Sequence, residues 1–310
     1  MMDVLADVLA VTRFGNSYLG YTTFAPPWGF KIEPARVATF HIASRGSCWL
    51  ITGSDSAPIH LNQGDVALIA HGEGHILTNH PDTEIRDYDT VANSQPENAR
   101  AISGSTDLFC GAFYFEQHNL HPLLSLLSPV IHLPADQTLN NDKLQVLIRL
   151  LMQENCESEP GSTAVKQQLM NILFVYIVRA WLELQPERSA GWLGALRDPR
   201  IGKILTLIHE SPQQRWTVDK LASSASMSRA AFAKRFNDLV GESPLAYVTR
   251  WRMDLAANLL RESNSPIIVV ASKVGYDSET AFSKIFRRSR GLPPGQYRSQ
   301  NAIFAPQSIL

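Results

Sequence analysis

Two histidines and an asparagine lie close together in the segment GDVALIAHGEGHILTN, which spans residues 64–79. They are His71, His75 and Asn79, and His41 lies upstream in the run FHIAS. Imidazole nitrogens bind transition metals, and metal catalysis normally needs three or four protein ligands with one position open. A bound metal therefore stands as an alternative to histidines that simply line a strand or a turn.

Cysteine chemistry offers a second possibility. Cys48, Cys110 and Cys156 are too few and too scattered for a disulfide framework or a paired-cysteine metal site. A redox-active thiol needs exposure and a lowered pKa, whereas an unpaired cysteine in a strand is usually a small core residue. Sensing of an oxidant through Cys48 and Cys110 is kept as an alternative to that structural role.

The composition is that of an ordinary globular protein, with 310 residues of which 45% are hydrophobic and 18% charged. This length allows two domains with cores of their own. No apolar window of about 18 residues predicts a membrane span, and the N-terminus lacks the basic-then-apolar order of a signal peptide. We therefore expect a cytoplasmic protein with no membrane partner and no required cofactor.

Charge is distributed unevenly along the chain. Residues 198–300 hold 16 Lys plus Arg against 9 Asp plus Glu, whereas the remainder holds 12 against 20. A basic C-terminal third behind an acidic front predicts that this third binds a polyanion, and double-stranded DNA is the first candidate.

The basic region contains an internal repeat. TVDKLASSASMSRAAFAKRFNDLVGESP begins at Thr217, and PIIVVASKVGYDSETAFSKIFRRSRGLPP begins at Pro266. Each copy predicts a helix, a tight turn and a second helix. A serine at the N-cap and a glycine after the last turn bound each second helix: Ser228 and Gly241 in the first copy, Ser278 and Gly291 in the second.

A continuous helix of about 30 Å is predicted between the copies, over residues 243–262. Two helix-turn-helix units joined in this way would place their second helices in successive major grooves, about 34 Å apart. The candidate DNA contacts are Ser228, Arg229, Ala230, Ala233, Lys234, Ser278, Glu279, Thr280, Ser283, Lys284, Arg287 and Arg288, with Arg250 and Arg290 also expected near phosphates.

Residues 198–300 resemble the DNA-binding domain of AraC/XylS-type transcription regulators. The segments that carry the resemblance are LASSASMSRAAFAKRF, SPLAYVTRWRMDLAANLL and VASKVGYDSETAFSKIFRRSRGLPPGQYR. The resemblance implies seven helices and a sequence-specific promoter site, usually with activation. Ser226 stands where members often have glycine, and a positive φ there would cost strain. By position, the implied base-reading residues are Ala230, Ala233 and Lys234, then Glu279, Thr280, Ser283 and Lys284.

The front of the chain, residues 5–135, resembles the cupin-type sensor domain of a branch of AraC-like regulators. The matching segments are FHIASRGSCWL, LNQGDVALIAHGEGHIL, LFCGAFYF and HPLLSLLSPVIHLP. Residues 64–79 fit the second metal motif of cupin enzymes, except that Ala70 replaces the usual proline, whereas in the first motif Ala43 replaces a histidine and the glutamate is missing. The resemblance thus identifies two candidate metal ligands, His41 and His75. A metal-dependent cupin enzyme is thus the weaker alternative to a small-molecule sensor. The predicted pocket walls are Phe40, His41, Trp49, His75 and Phe113.

The sequence thus predicts an α+β multidomain chain. An N-terminal antiparallel, cupin-like β-barrel and a helical dimerisation segment precede an all-α domain of two helix-turn-helix units joined by a long helix. We expect a homodimer that contacts promoter DNA and RNA polymerase under the control of a small-molecule or oxidant effector. The predicted boundaries are 1–135 for the sensor, 136–185 for dimerisation, 186–197 for a linker, 198–300 for DNA binding and 301–310 for a tail.

Overall fold

The computed structural model describes residues 14–35, 37–53, 57–115, 127–138, 142–156, 159–184, 194–195 and 198–301. The chain divides between residues 185 and 186 into two compact units. The first unit holds the strands and two long helices, and the second holds the C-terminal helices. The predicted linker and tail lie outside the described residues, apart from residues 194–195 and 301.

Ten strands are found in the described part of the first unit. They are β1 (Phe14–Phe24), β2 (Gly29–Ile32), β3 (Val37–Arg45), β4 (Cys48–Thr52), β5 (Ile59–Leu61), β6 (Val66–Ile69), β7 (His75–Thr78), β8 (Arg86–Asp87), β9 (Thr106–Phe115) and β10 (Val130–Leu133). They form two five-stranded sheets, with the orders β1-β9-β3-β6-β10 and β5-β4-β7-β2-β8.

The predicted closed barrel is wrong, because no pairing between described strands joins the two sheets. The sheets pack face to face instead, and side chains such as Ile69 and Leu108 from one meet Phe30, Leu50 and Leu77 from the other in a common core. A barrel and a sandwich both bury one face of each strand, so their sequences alternate in the same way. Alternation alone therefore does not distinguish them.

Helices cover the outer face of the first sheet. The helices of this unit are α1 (Tyr88–Asn93), α2 (Ala135–Thr138), α3 (Asp142–Cys156) and α4 (Ser162–Leu184). α3 and α4 pack on each other and on β1, and α4 also contacts β10. The ring of Phe174 in α4 lies edge-on to Phe113 at 5.3 Å between centroids. The faces of β3 and β9 that carry Phe40 and Phe113 thus belong to a sheet–helix core.

The glycines and the aspartate of the segment 64–79 shape two turns. The Asp65 carboxylate accepts hydrogen bonds from the backbone N–H groups of Asn62 (3.0 Å) and Ala135 (2.7 Å). Gly72 has a φ of +70°, and a Cβ there would lie 1.7 Å from the carbonyl oxygen of Ala35. The turns therefore require Asp65 and Gly72 at these positions whether or not a metal binds.

We expect Gly72→Ala to destabilise the first unit by roughly 3 kcal/mol, because both the left-handed φ and the clash with the Ala35 carbonyl act against it. Gly161→Ala is the matched control: its φ is +89°, but a Cβ there meets nothing within 4 Å. The control should cost about 1 kcal/mol from the backbone alone. Urea unfolding of both variants measures the difference, and equal losses would contradict the prediction.

The described residues 198–301 form seven helices, the number that the AraC resemblance implies. They are α5 (Ile201–Glu210), α6 (Val218–Ser224), α7 (Arg229–Val240), α8 (Pro244–Glu262), α9 (Ile267–Lys273), α10 (Glu279–Arg290) and α11 (Pro294–Asn301). The pairs α6–α7 and α9–α10 are the two copies of the repeat, and α8 lies between them in sequence.

The turns of the two copies differ in one respect. Ser226 has a φ of +53°, whereas the corresponding Gly275 has a φ of +84°. Ser226 therefore adopts the left-handed conformation, which strains the backbone of a residue with a side chain, as the sequence analysis expects for a positive φ at this position. Gly241 and Gly291 end α7 and α10 with φ values of +81° and +78°, as expected for glycine stops.

Candidate nucleic-acid interface and sensing cavity

α7 and α10 begin at capping serines. The Ser228 hydroxyl oxygen accepts a hydrogen bond from the backbone N–H of Ala231 at 3.3 Å, and Ser278 does the same for Ala281 at 3.3 Å. These bonds fix the first residue of each helix. They therefore fix which side chains point away from the aromatic cores formed by Phe232 with Phe236 and by Phe282 with Phe286.

Most of the predicted contact residues are exposed on these two helices. Ala233 and Ser283 are partly buried. The exposed residues are Ser228, Arg229, Ala230 and Lys234 at the first helix, and Ser278, Glu279, Thr280, Lys284, Arg287 and Arg288 at the second.

Two of these cations already have partners. Lys234 Nζ lies 2.6 Å from Asp238, and Arg229 lies 3.5 Å from Asp219, in pairs that are exposed to solvent. Exposed pairs contribute about 0–1 kcal/mol, so a phosphate can replace the carboxylate at little cost. No ion pair of Arg287 or Arg288 is found among the described residues. These two guanidinium groups can therefore bind a phosphate without first leaving a carboxylate.

Arg250 and Arg290, which the sequence places near phosphates, instead meet one buried carboxylate. Arg290 bonds to Asp254, and Arg250 lies 3.7 Å from the other oxygen of the same group. Arg250 also donates to Glu242 at 2.6 Å. Asp254 is 3% exposed and needs their charge, so both arginines have a structural role in the domain, and their expected place near phosphates stays a prediction. The cluster ties α10 to α8.

Arg252 links the segment between α5 and α6 to the turn of the second helix-turn-helix copy. Its Nε donates to the carbonyl oxygen of Pro212 at 2.7 Å and one Nη to that of Gln214 at 2.8 Å, both before α6. Its other Nη donates to Gly275 at 3.4 Å, in the turn between α9 and α10. One guanidinium from α8 therefore binds the segment that leads into the first copy and the turn of the second copy.

A cavity of about 340 Å³ lies within the first unit, between the sheets. Its walls come from β1, β2, β3, β9 and α1, and most of them are apolar. The lining residues are Tyr18, Gly20, Thr22, Phe24, Phe30, Lys31, Ile32, Glu33, Ala35, Val37, Thr39, His41, Tyr88, Leu108, Cys110, Gly111 and Ala112.

Of the five predicted pocket residues, His41 lines this cavity. Phe40 and Phe113 contact each other at 5.5 Å on the helix-covered face of the sheet. Trp49 packs on His60 at 4.6 Å, and His75 lies behind His41. Neighbouring side chains in a strand point to opposite faces, so assigning the aromatic face of β9 to the cavity selects the wrong set.

The buried histidines form a hydrogen-bonded chain whose direction is determined at one end. His75 Nδ1 lies 2.9 Å from the Glu73 carbonyl oxygen, which only accepts, so Nδ1–H donates. Neutral His75 then accepts at Nε2, and His41 Nε2–H donates to it at 2.7 Å. His41 Nδ1 in turn accepts from the Cys110 thiol at 3.0 Å. Burial lowers the pKa of both histidines, which favours this uncharged arrangement.

His41 and His75 do not fit the metal site of a cupin enzyme. Two histidine nitrogens bound to one zinc lie about 3.3 Å apart, given bonds of about 2.0–2.1 Å in a tetrahedral site, but these nitrogens are 2.7 Å apart. Within the described part of the chain, no group of three His, Cys, Asp or Glu side chains is placed to hold a metal.

The redox alternative is not supported by the environment of the thiols. Burial raises the pKa of Cys48 to about 12 and also raises the pKa of Cys110. Both groups are therefore protonated at neutral pH, whereas the reactive form of cysteine is the thiolate.

We expect Cys48 and Cys110 to react with iodoacetamide at pH 8 about 100-fold or more slowly than free cysteine, because so little thiolate is present. A Cys156→Ser protein isolates the two thiols, and mass spectrometry gives the alkylation rate of each. The same protein in urea is the control. A native rate within tenfold of the unfolded rate would contradict the prediction.

Comparison with known proteins matches each of the two units to a protein family. A family profile described as Cupin matches residues 3–183, and one described as a helix-turn-helix domain matches residues 221–300. A putative AraC-like transcription regulator from Streptomyces lividans is 36% identical over 300 residues, which cover 96% of this chain and 98% of the relative. The chain belongs to the AraC-like transcription regulators. This AraC-like regulator therefore binds DNA through its helix-turn-helix domain and carries a cupin domain in front of it.

Two further proteins are similar to this AraC-like regulator, one along the whole chain and one over its DNA-binding domain. The HTH-type transcriptional regulator AlkR of Acinetobacter baylyi is 32% identical over 97% of this chain and its own full length. The DNA-binding domain of AdpA, solved in complex with a target DNA, is 33% identical over 36% of this chain and 98% of its own, with a TM-score of 0.34. AlkR is described as a transcriptional regulator and AdpA as a global transcriptional factor.

For several residues of this AraC-like regulator, the structure shows a role that the sequence does not predict. Thr39 and Cys110 line the cavity, and Arg252 and Asp254 hold the DNA-binding domain together. The signal for Asp254 is its position four residues after Arg250 on one helix face. In the described residues, no helix is long and apolar enough to cross a membrane.

Proposed function

We propose that this AraC-like regulator activates transcription as a homodimer and that a small molecule in the cavity controls it. The observation that supports this proposal is the combination, in one chain, of an apolar cavity in the cupin domain and two exposed, capped helices in the DNA-binding domain. The cavity serves to bind an effector without turnover, and no cofactor is required.

The two helices read DNA differently in this proposal. On α7, Ala230 and Ala233 contact thymine methyl groups and Lys234 bonds to base edges. On α10, Glu279, Thr280, Ser283 and Lys284 supply hydrogen bonds, while Arg287 and Arg288 contact phosphates together with the helix start at Ser278. Arg229 and Ser228 take the corresponding phosphate positions at the start of α7.

The experiment that tests this reading starts by selecting sites from random double-stranded DNA with the full chain. Fluorescence anisotropy then compares the selected site with half-site mutants for the wild type and for Lys234→Ala. We expect Lys234→Ala to lose about 1–3 kcal/mol of discrimination at its base pair. A variant that discriminates as well as the wild type would remove Lys234 from the assignment.

Homodimerisation is proposed through residues 136–185. Val146 and Leu150 on α3 and Val165 and Ile172 on α4 are 44–47% exposed, which leaves an apolar face on the helical segment. Such a face fits a partner copy, since large exposed apolar surface is uncommon on monomers. Light scattering at micromolar concentration should give a dimer, and Leu150→Glu with Ile172→Glu should give a monomer. A monomeric wild type would remove this claim.

Activation through RNA polymerase completes the proposal, since activation is the usual output that the AraC resemblance implies. Transcription in vitro from a promoter with the selected site tests it, using purified RNA polymerase and the full chain. Increased transcript on addition of the protein supports activation, and decreased transcript identifies a repressor.

A further inference from the structure

The cavity in the cupin domain has one polar group that the protein leaves without a partner. Thr39 is 8% exposed and lines the cavity, and its hydroxyl oxygen has no hydrogen-bond partner among the described residues. A buried hydroxyl without a partner costs free energy, and native structures contain few such groups. An unpaired hydroxyl in the wall of a cavity therefore points to a bond with whatever fills the cavity.

Other polar side chains of the wall have partners among the described residues. Thr22 Oγ1 lies 3.4 Å from the Tyr88 hydroxyl oxygen, and Tyr88 also interacts with the hydroxyl of Tyr18, which is 54% exposed. His41 is bonded on one side to His75 and on the other to Cys110. Thr39 therefore carries the buried wall hydroxyl that a ligand can bond without replacing a protein partner.

The buried part of the wall carries no charged side chain among the described residues. The charged residues that line the cavity are Lys31 and Glu33, whose side chains are 51% and 72% exposed and lie 2.8 Å apart. The histidine chain satisfies all of its polar atoms in the neutral form, as its hydrogen bonds require. A buried carboxylate or ammonium group would thus enter without a counter-charge, which is strongly unfavourable.

We propose that this cavity binds an uncharged, largely apolar molecule with a single hydrogen-bonding group, and that the Thr39 hydroxyl pairs with that group. The cavity volume of about 340 Å³ lies at the small end of the range for ligand pockets, about 300–1,000 Å³. The inference deepens the proposed sensing function and rests on it.

Three probes with the same ring system separate the chemical classes. 2-Naphthol is neutral at pH 7 and has one hydroxyl group, 2-methylnaphthalene has no hydrogen-bonding group, and 2-naphthoate is an anion. Isothermal titration calorimetry with the full chain gives their dissociation constants. We expect saturable binding of the two neutral probes and at least tenfold weaker binding of 2-naphthoate.

Thr39→Val removes the hydroxyl with little change in shape. We expect it to weaken 2-naphthol roughly fivefold, the effect of one neutral hydrogen bond, and to leave 2-methylnaphthalene unchanged. Thr22→Val is the matched control, because Thr22 lines the same cavity but its hydroxyl is near Tyr88. The control should keep the wild-type ratio of the two dissociation constants.

Three outcomes would overturn the inference: no saturable binding of either neutral probe, equal affinity for 2-naphthoate and 2-naphthol, or the same 2-naphthol affinity in Thr39→Val as in the wild type. The sensing function is tested separately, by the anisotropy of DNA binding with and without saturating 2-naphthol. Probe binding that follows the expected order, with unchanged DNA affinity, would retain the ligand class and reject the sensing function.

Discussion

Asp254→Ala is expected to lower the free energy of unfolding of the DNA-binding domain by about 3–5 kcal/mol, the usual cost of removing one partner from a buried ion pair. Arg290 is only 10% exposed in its side chain and would lose its bond to this buried carboxylate. Arg250 would lose one of its two acidic partners. The ionic contact between α8 and α10 would be lost, although their shared apolar core would remain, and specific DNA binding should fall in parallel.

Urea unfolding followed by circular dichroism measures this loss in the full chain. Glu242→Gln is the matched control, because it removes the other acidic partner of Arg250 from a position that is 27% exposed. The control should cost about 1 kcal/mol or less, as solvent replaces much of the interaction. A loss below 1 kcal/mol for Asp254→Ala would contradict the assigned role of the cluster.

Replacing Arg287 and Arg288 together by alanine should weaken DNA binding by roughly 10- to 100-fold at physiological salt. Both side chains are exposed near the end of α10, so the proposed phosphate contacts would be lost without damage to the core. Phosphate contacts carry no sequence information, and the loss should therefore be similar for specific and random DNA.

The salt dependence of binding gives the sharper measurement. Each phosphate contact contributes nearly one unit to the slope of log K against log salt, so the double variant should reduce the slope by about 2. Arg86→Ala with Arg100→Ala removes two exposed cations from the cupin domain, outside the cavity wall and the proposed dimerisation segment, and serves as the control for net charge. An unchanged slope for Arg287→Ala with Arg288→Ala would exclude the phosphate contacts.

The DNA-binding domain could be predicted in detail because its signals are local. A capping serine, an aromatic pair one turn apart and a terminal glycine lie within about 15 residues of one another, and Ser228, Phe232, Phe236 and Gly241 all take the predicted roles. Arg250 and Arg290 show the limit of such reasoning. Their partner Asp254 is distant in sequence from Arg290, and no local pattern indicates that contact.

The cupin domain was harder to predict for a different reason. Alternation in β3 separates Thr39 and His41 from Phe40, but it does not say which set faces the second sheet and which faces helices. The aromatic set looks like a pocket wall, yet it packs under α4. The choice depends on α3 and α4, which lie much later in the chain, and on the absence of strand pairing between the two sheets in the described residues.

Arg252 has a consequence for how the duplicated domain can be divided. A fragment that ends at Gly241 contains the whole first copy, yet it lacks the guanidinium that binds the carbonyl oxygens of Pro212 and Gln214. A fragment that begins at Ser243 keeps Arg252 but lacks those carbonyl groups, and it retains the bond to Gly275 and the contact with the Tyr276 ring. Each fragment therefore loses hydrogen bonds that cross the division, and we expect both to be less stable than the undivided domain.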